Sequence, residues 1–337
     1  MKHMGAARIF FFFTIFLIGK TMPVASQSFG EIHRVDPRIN HLIPANAKLE
    51  KLAEGFEWTE GPLWLPQEQA LVFTDIPKNT IYKWKQGEGI SVYLRPAGYV
   101  GEDPPGFELG ANGLNLSPAG KLVMCDHGNR CISQLNTQNF TKKVLADRFA
   151  GKRLNSPNDG VFKSNGDFYF TDPPYGLAGL NQNPKKELPF NGVYRLSKEG
   201  ELTLLTKELT YPNGIAFSPD EKTLYVAQSD PDKAIWMAFN VKEDGTISDG
   251  RILFDATPWV KQRKKGLPDG LSVDESGNLF ATGPGGVIIL SPKGEHLGTI
   301  ATGEATSNCA FGDDGSVLYI TADMYLCRIT LSTKGKM

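Results

Sequence analysis

The side chains with the clearest chemical promise are oxygen donors that return at one phase of a long repeat. Each opens an apolar stretch, usually with glycine following. The phrase runs Glu60-Gly61-Pro62-Leu63-Trp64, Asn112-Gly113-Leu114-Asn115-Leu116 and Asn158-Asp159-Gly160-Val161-Phe162. It continues as Asn213-Gly214-Ile215-Ala216-Phe217, Asp269-Gly270-Leu271-Ser272-Val273 and Asn308-Cys309-Ala310-Phe311-Gly312. Two carboxylates and several amide carbonyls make an all-oxygen set, which suits a hard cation. Calcium fits such a set best, and Mg²⁺ and Mn²⁺ fit it less comfortably. The chain has 5 His, and they do not cluster, so Zn²⁺ is the weakest of the four alternatives. Asn-Gly and Asp-Gly are also turn dipeptides. Here, however, separate turns such as Ser117-Pro118-Ala119-Gly120 and Ser218-Pro219-Asp220-Glu221 follow each strand. Glu60 is a poor turn residue in any case.

These donors need a scaffold that brings distant segments to one axis. Intervals of roughly 40 to 55 residues match propeller blades. After each opening strand comes a turn, then a strand such as Leu122-Val123-Met124 or Phe168-Tyr169-Phe170-Thr171. A third strand follows, such as Gly192-Val193-Tyr194-Arg195-Leu196, and a fourth such as Glu201-Leu202-Thr203-Leu204-Leu205. The expected fold is all-β: a six-bladed β-propeller with four-stranded blades around a central channel that binds metal. No stretch after the N-terminus has convincing helical periodicity. The ring is expected to occupy residues 49–333 as a single domain, with the strand near Leu49 closing the last blade.

The N-terminus reads differently. Lys2, His3 and Arg8 precede the apolar run from Ile9 to Gly19, and Val24-Ala25-Ser26 offers small residues for cleavage. That pattern is a signal peptide over residues 1–26, too short to span a bilayer as a helix. Its cleavage would leave no stable membrane anchor and predicts a periplasmic or secreted protein, with an uncleaved N-terminal anchor as the alternative. Residues 27–48 form an extension expected to wrap over the surface. Cys125 and Cys131 flank a short loop and could face each other across a hairpin. Cys309 and Cys327 fall on the first and third strands of one blade, ~10 Å apart, and are expected as buried thiols. A net charge of -1 with 22% charged residues gives no reason to expect nucleic acid as a partner. Oligomeric state is not encoded in any motif.

Four motifs carry a resemblance: Thr59-Glu60-Gly61-Pro62-Leu63-Trp64, Ser156-Pro157-Asn158-Asp159-Gly160, Pro212-Asn213-Gly214-Ile215 and Pro268-Asp269-Gly270-Leu271. Together they resemble the gluconolactonase/regucalcin (senescence marker protein) family. Cys125-Asp126-His127-Gly128-Asn129-Arg130 and Tyr169-Phe170-Thr171-Asp172-Pro173-Pro174-Tyr175-Gly176 are similar to its bacterial gluconolactonase branch. The resemblance covers roughly residues 50 to 330. It implies a divalent-metal-dependent hydrolase that opens a small-molecule lactone, such as glucono-1,5-lactone, to the aldonic acid. By motif position, Glu60, Asn158, Asn213 and Asp269 would hold the metal, with Asn158 bound directly or through water. Asp269 would also be catalytic, as base or as nucleophile. Animal members carry an arginine where Ser156 stands here, so that sugar contact is not carried over.

Asn158 is further expected to face substrate, and Asn112 and Asn308, which lack a carried-over ligand role, are expected either to stand behind the ligands or to face substrate. His127 and Tyr175 belong to loops near the mouth and are expected there too. Asp172 is expected to fix its own loop, and Arg130 is open between a surface-loop residue and a substrate contact. Two other function classes stay open on these residues: an organophosphate or other ester hydrolase on the same propeller, and a non-catalytic binding propeller containing metal.

Overall fold

A computed structural model describes residues 29–336; the expected signal peptide lies outside the described residues. Six four-stranded antiparallel sheets stand around a common axis as the blades of a β-propeller. The first blade runs outward through Thr59–Leu65, Ala70–Asp75, Thr80–Lys85 and Gly89–Leu94. The next four begin with Leu114–Leu116, Gly160–Phe162, Pro212–Phe217 and Leu271–Val273. The sixth begins with Thr306–Gly312. Its outer strand is Glu50–Glu54, paired antiparallel with Tyr325–Thr330, so the two ends of the ring are stitched in one sheet.

Successive residues of a strand point to opposite faces, and in a propeller each face meets a neighbouring blade. Leu71 and Phe73 therefore pack with Tyr319 of the sixth blade, while Val72 packs with Leu114 and Met124 of the second. Six apolar clusters result, one at every blade junction. This is why the second and third strands read as continuous apolar runs rather than alternating ones: both faces are buried. Aromatic pairs tighten two junctions, Trp64 stacked on Tyr319 at 5.6 Å and Tyr169 edge-on to Phe217 at 4.8 Å.

The N-terminal extension is more firmly built in than expected. Glu31–Arg34 adds a fifth strand to the outside of the fifth blade. Pro37–His41 forms a 3-10 turn behind it, and Ile39, Leu42 and Ile43 are buried against Val287, Ile289 and Leu297. Burying three such side chains stabilises by about 1.5–3 kcal/mol each, enough to hold the segment against the blade. At the other end, Gly335 bridges Asp274, and Lys336 reaches Glu221 at 3.0 Å. The tail thus crosses the lower end of the channel.

All four cysteines are buried thiols. Cys125 pairs with Ile132 and Cys131 with Asp126, so the two sulfurs leave opposite faces of the sheet and cannot meet. Cys309 and Cys327 both pair with Ile320, on the first and third strands.

Candidate active site in the axial channel

Backbone hydrogen bonds define two stacked levels at the upper end of the channel. In the second blade, Asn112 donates to Cys125 and Gly113 accepts from it. Asn158 and Asp159 stand in the same relation to Thr171, and Asp269 and Gly270 to Thr282. Between blades, Gly113 donates to the carbonyl of Asn158, and Gly270 donates to that of Ser307. The upper level is therefore Glu60, Asn112, Asn158, Asn213, Asp269 and Ser307. The level below is Gly61, Gly113, Asp159, Gly214, Gly270 and Asn308.

Four of the lower positions are glycine because the inner strands converge there. A Cβ on Gly214 would lie 2.1 Å from the Asp269 carbonyl oxygen, and one on Gly61 would lie 2.2 Å from that of Asn112. The two lower side chains fill the space left at the axis. Asn308 Nδ2 donates to Glu60 Oε2 at 3.1 Å and more weakly to Asp159 Oδ2 at 3.4 Å.

Of the two places expected for Asn308, behind the ligands or facing substrate, it occupies the first. The repeated phrase in the sixth blade is shifted by one residue, so Ser307 takes the ring position and Asn308 lies beneath it. Asn308 holds Glu60 from below instead of facing substrate at the mouth. The Ser307 hydroxyl is turned toward neighbouring strands, donating to the Thr59 carbonyl at 2.6 Å and lying 2.8 Å from Thr321 Oγ1. The same frame reveals Asp159, a channel carboxyl that the phrase concealed in the position glycine usually occupies.

The remaining ring side chains leave oxygens free. Among the described residues, Asn112 Oδ1, Asn213 Oδ1 and Asp269 Oδ1 are buried with no hydrogen-bond partner. Native proteins seldom leave buried polar atoms unpaired, so three on one ring mark a place for a ligand. Asn213 shows how its oxygen is aimed: Nδ2 donates to Ser229 Oγ at 2.9 Å, and Ser229 in turn donates to the Pro268 carbonyl. Glu60 keeps Oε1 free, since its Gly61 and Asn308 bonds both use Oε2.

Electrostatics point the same way. Burial raises the Glu60 carboxyl, and the charge of Asp159 raises it further. Asp269 is raised by burial first and then by Glu60, Asp159 and Glu108. Asp159 is pushed up to about 6 by burial, against the opposing pull of the Gly160 N–H and Asn308. A dication would relieve this crowding, and it would meet carboxylate and amide oxygens in the mixture Ca²⁺ favours. Among the described residues no three His, Cys, Asp or Glu side chains gather into a metal site by themselves. A cation here would thus depend on the asparagines. The residues that fit it are Glu60, Asn158, Asn213 and Asp269, with Asn112 Oδ1 as a further oxygen.

The walls of the mouth come from loops. Asp172 accepts from the backbone N–H groups of Asn155 and Ser156, both at 2.8 Å. It therefore sets the segment leading into Asn158, beyond fixing its own loop. Ser156 ties the two segments together, donating to the Pro173 carbonyl at 2.6 Å and accepting from the Gly176 N–H at 2.9 Å. Where an arginine would reach toward a sugar, this serine is a buried clamp. Tyr175 stacks on Tyr211 at 5.8 Å, and its buried hydroxyl has no hydrogen-bond partner. Burial raises that hydroxyl, and the Asp269 charge adds to the effect, which places Tyr175 beside the ring. His127 is fully buried, with Nδ1 3.1 Å from Glu108 Oε2. Arg130 is structural: it donates to the carbonyls of Leu154, Asn155 and Lys185. The basic run from Lys261 to Lys265 lies on the surface.

Below the paired Asp159 and Asn308 the channel widens into a second chamber of about 550 Å³, lined by Leu63, Leu116, Phe162, Phe217 and Val273. The oxygen ring faces the opposite end.

A six-bladed propeller with oxygen donors converging on its upper channel defines the class of axial-site propellers. Residues 58–323 match the family model described as SMP-30/Gluconolactonase/LRE-like region, and the chain belongs to that family. It is 39% identical over 315 residues to the gluconolactonase of Zymomonas mobilis, covering 92% of this chain and 88% of that protein. It is 27% identical to regucalcin of Xenopus laevis, over 80% of this chain and 85% of the relative. The solved gluconolactonase of Xanthomonas campestris superposes with a TM-score of 0.78 at 30% identity, over 92% and 99% of the two chains.

Proposed function

We propose that this protein opens a sugar lactone of the glucono-1,5-lactone type to its aldonic acid, using one divalent cation, calcium first among the candidates. It is a hydrolase of carboxylic ester bonds, the class to which its gluconolactonase relatives belong. The observation that carries the finer reading is the set of three unpartnered buried oxygens on Asn112, Asn213 and Asp269. When bound, the cation would polarise the lactone carbonyl and offset charge developing on its oxygen.

This chain's own residues do the rest. Glu60, Asn158 and Asn213 present oxygens from three blades, held by Asn308 and Ser229. Asp269 Oδ1 accepts a proton from the attacking water as its oxygen bonds to the carbonyl carbon. The ring C–O bond then breaks, and the departing oxygen takes up that proton to become the alcohol. A carboxylate bound to a dication is a weaker base than a free one, but the same ion would acidify nearby water, so a modest base suffices for an activated ester. Tyr175, stacked on Tyr211, presents its free hydroxyl to the substrate at the wall.

The N-terminal pattern supports export, so the reaction would run in the periplasm or outside the cell. Acid release from glucono-δ-lactone, followed by pH-stat before and after chelation and again with Ca²⁺ restored, tests the reading. Cation-dependent turnover is expected. No cation-dependent acid release across a panel of lactones would sink it, and turnover of phosphotriesters alone would favour the organophosphate alternative.

A further inference from the structure

The connection from the first blade to the second, residues 95–113, crosses the upper face. It is not a loose loop. Tyr99 N–H donates to the Leu109 carbonyl at 2.8 Å, closing the loop on itself, and Gly110 N–H donates to Ile76 at 3.0 Å. On its other side, Ala178 N–H donates to the Pro105 carbonyl at 2.9 Å. A Cβ on Gly106 would lie 2.6 Å from the Gly176 carbonyl oxygen, so this loop lies directly on the one that carries Tyr175. Glu108 falls between these anchors.

The Glu108 carboxylate is one-third exposed, and its loop lies against the one that carries Tyr175, where a Cβ on Gly176 would stand 3.2 Å from the His127 carbonyl oxygen. Oε2 lies 3.1 Å from His127 Nδ1. The approach is off the direction of a hydrogen bond, so both nitrogens of the fully buried imidazole keep unused capacity. Among the described residues, Glu108 accepts no hydrogen bond from a side chain or backbone group. The mouth therefore holds a carboxylate with open lone pairs beside a buried imidazole with open nitrogens, both fixed by anchored backbone. No chemistry at the lactone carbonyl needs either group.

We infer that Glu108 and His127 form a hydroxyl-recognising pair that selects polyhydroxylated lactones over unsubstituted ones. The carboxylate accepts hydrogen bonds from ring or side-chain hydroxyls, and the imidazole completes the network from behind. Charge-assisted bonds of this kind are the strong ones, and a site built to bond hydroxyls rejects analogues lacking them. This inference rests on the lactonase reading and names its substrate class.

The test uses the calcium-loaded protein, Glu108→Ala and Glu108→Gln, on glucono-δ-lactone and on δ-valerolactone, which has the same ring without hydroxyls. For Glu108→Ala, KM on the hydroxylated lactone is expected to rise about 10- to 100-fold with kcat changed far less. At saturating calcium, its kcat/KM on δ-valerolactone should match wild type, and so should its melting temperature. Glu108→Gln, which keeps an acceptor but loses the charge, should fall between. An equal loss on both lactones, or none on either, overturns the inference while leaving the lactonase reading intact. Wild-type protein that hydrolyses neither lactone overturns both.

Discussion

Ser229 Oγ accepts a hydrogen bond from Asn213 Nδ2 at 2.9 Å, and that single contact decides which end of the Asn213 amide faces the channel. Without it the amide could rotate and present a donor where the ring needs an acceptor. Ser229→Ala is therefore expected to weaken calcium binding by about 10- to 100-fold, the usual cost of losing an outer partner of a ligand. Activity at saturating calcium should return to near wild type. Calcium titration by calorimetry, beside rates at low and high calcium, checks both halves.

Asp269 and Glu60 should separate chemistry from cation binding. Asp269→Asn is expected to lower kcat by at least about 10³-fold, since the amide cannot accept the proton from water. Glu60→Gln should mainly raise the calcium concentration needed for half-maximal activity. Wild-type rates in Asp269→Asn would remove it from the catalytic role.

Removing the cation should cost stability as well as activity. A ligand at 100 times its Kd stabilises the folded state by about 2.7 kcal/mol. With an unfolding entropy of about 2.1 cal/mol/K per residue, that corresponds to a rise of about 4 °C in Tm for a domain of this size. Thermal melts with chelator and with excess Ca²⁺ measure it, and an unchanged Tm would argue against a resident cation in this ring.

Asp172 predicts a pH dependence away from the ring. Burial pushes its carboxyl up to about 7, against the pull of the Asn155 and Ser156 N–H groups and of Arg130. A raised folded value means the contribution is fully present below the unfolded value of about 4 and is lost as pH rises through about 7. At about 1.4 kcal/mol per unit the swing is at most a few kcal/mol. In chelator, the wild-type Tm should fall from pH 5 to 8, and Asp172→Asn should show a shallower fall. That variant should also start about 1–3 kcal/mol less stable, because one of its two N–H donors loses its acceptor.

Gly214 tests the two-level geometry. Its Cβ would stand 2.1 Å from the Asp269 carbonyl oxygen and 2.7 Å from the Gly270 Cα, all of it backbone. Gly214→Ala is expected to cost about 3 kcal/mol or more, at the upper end of overpacking losses. Because relief requires the fourth and fifth inner strands to part, calcium affinity should fall with stability. Denaturant melts and a calcium titration on one preparation show whether the two losses travel together.

Much of this was legible in the chain itself. The repeat length and the unbroken apolar strands gave a six-bladed ring, since a strand buried on both faces has no polar side to show. Glu60, Asn112, Asn158, Asn213 and Asp269 were readable because their phase repeats. The tertiary structure alone decided the level each occupies: an Asn308-Cys309 pair looks like a ring position plus its glycine slot until inter-blade hydrogen bonds place Ser307 there. Asp159 was hidden for the same reason, as a side chain in a position where packing normally admits only glycine. Glu108 and His127 carry no repeat signal, because they belong to connections of unequal length. Their meeting depends on how two loops fold across the same face. Local spacing determines which way a strand's side chains point, while convergence at an axis is a property of the closed ring.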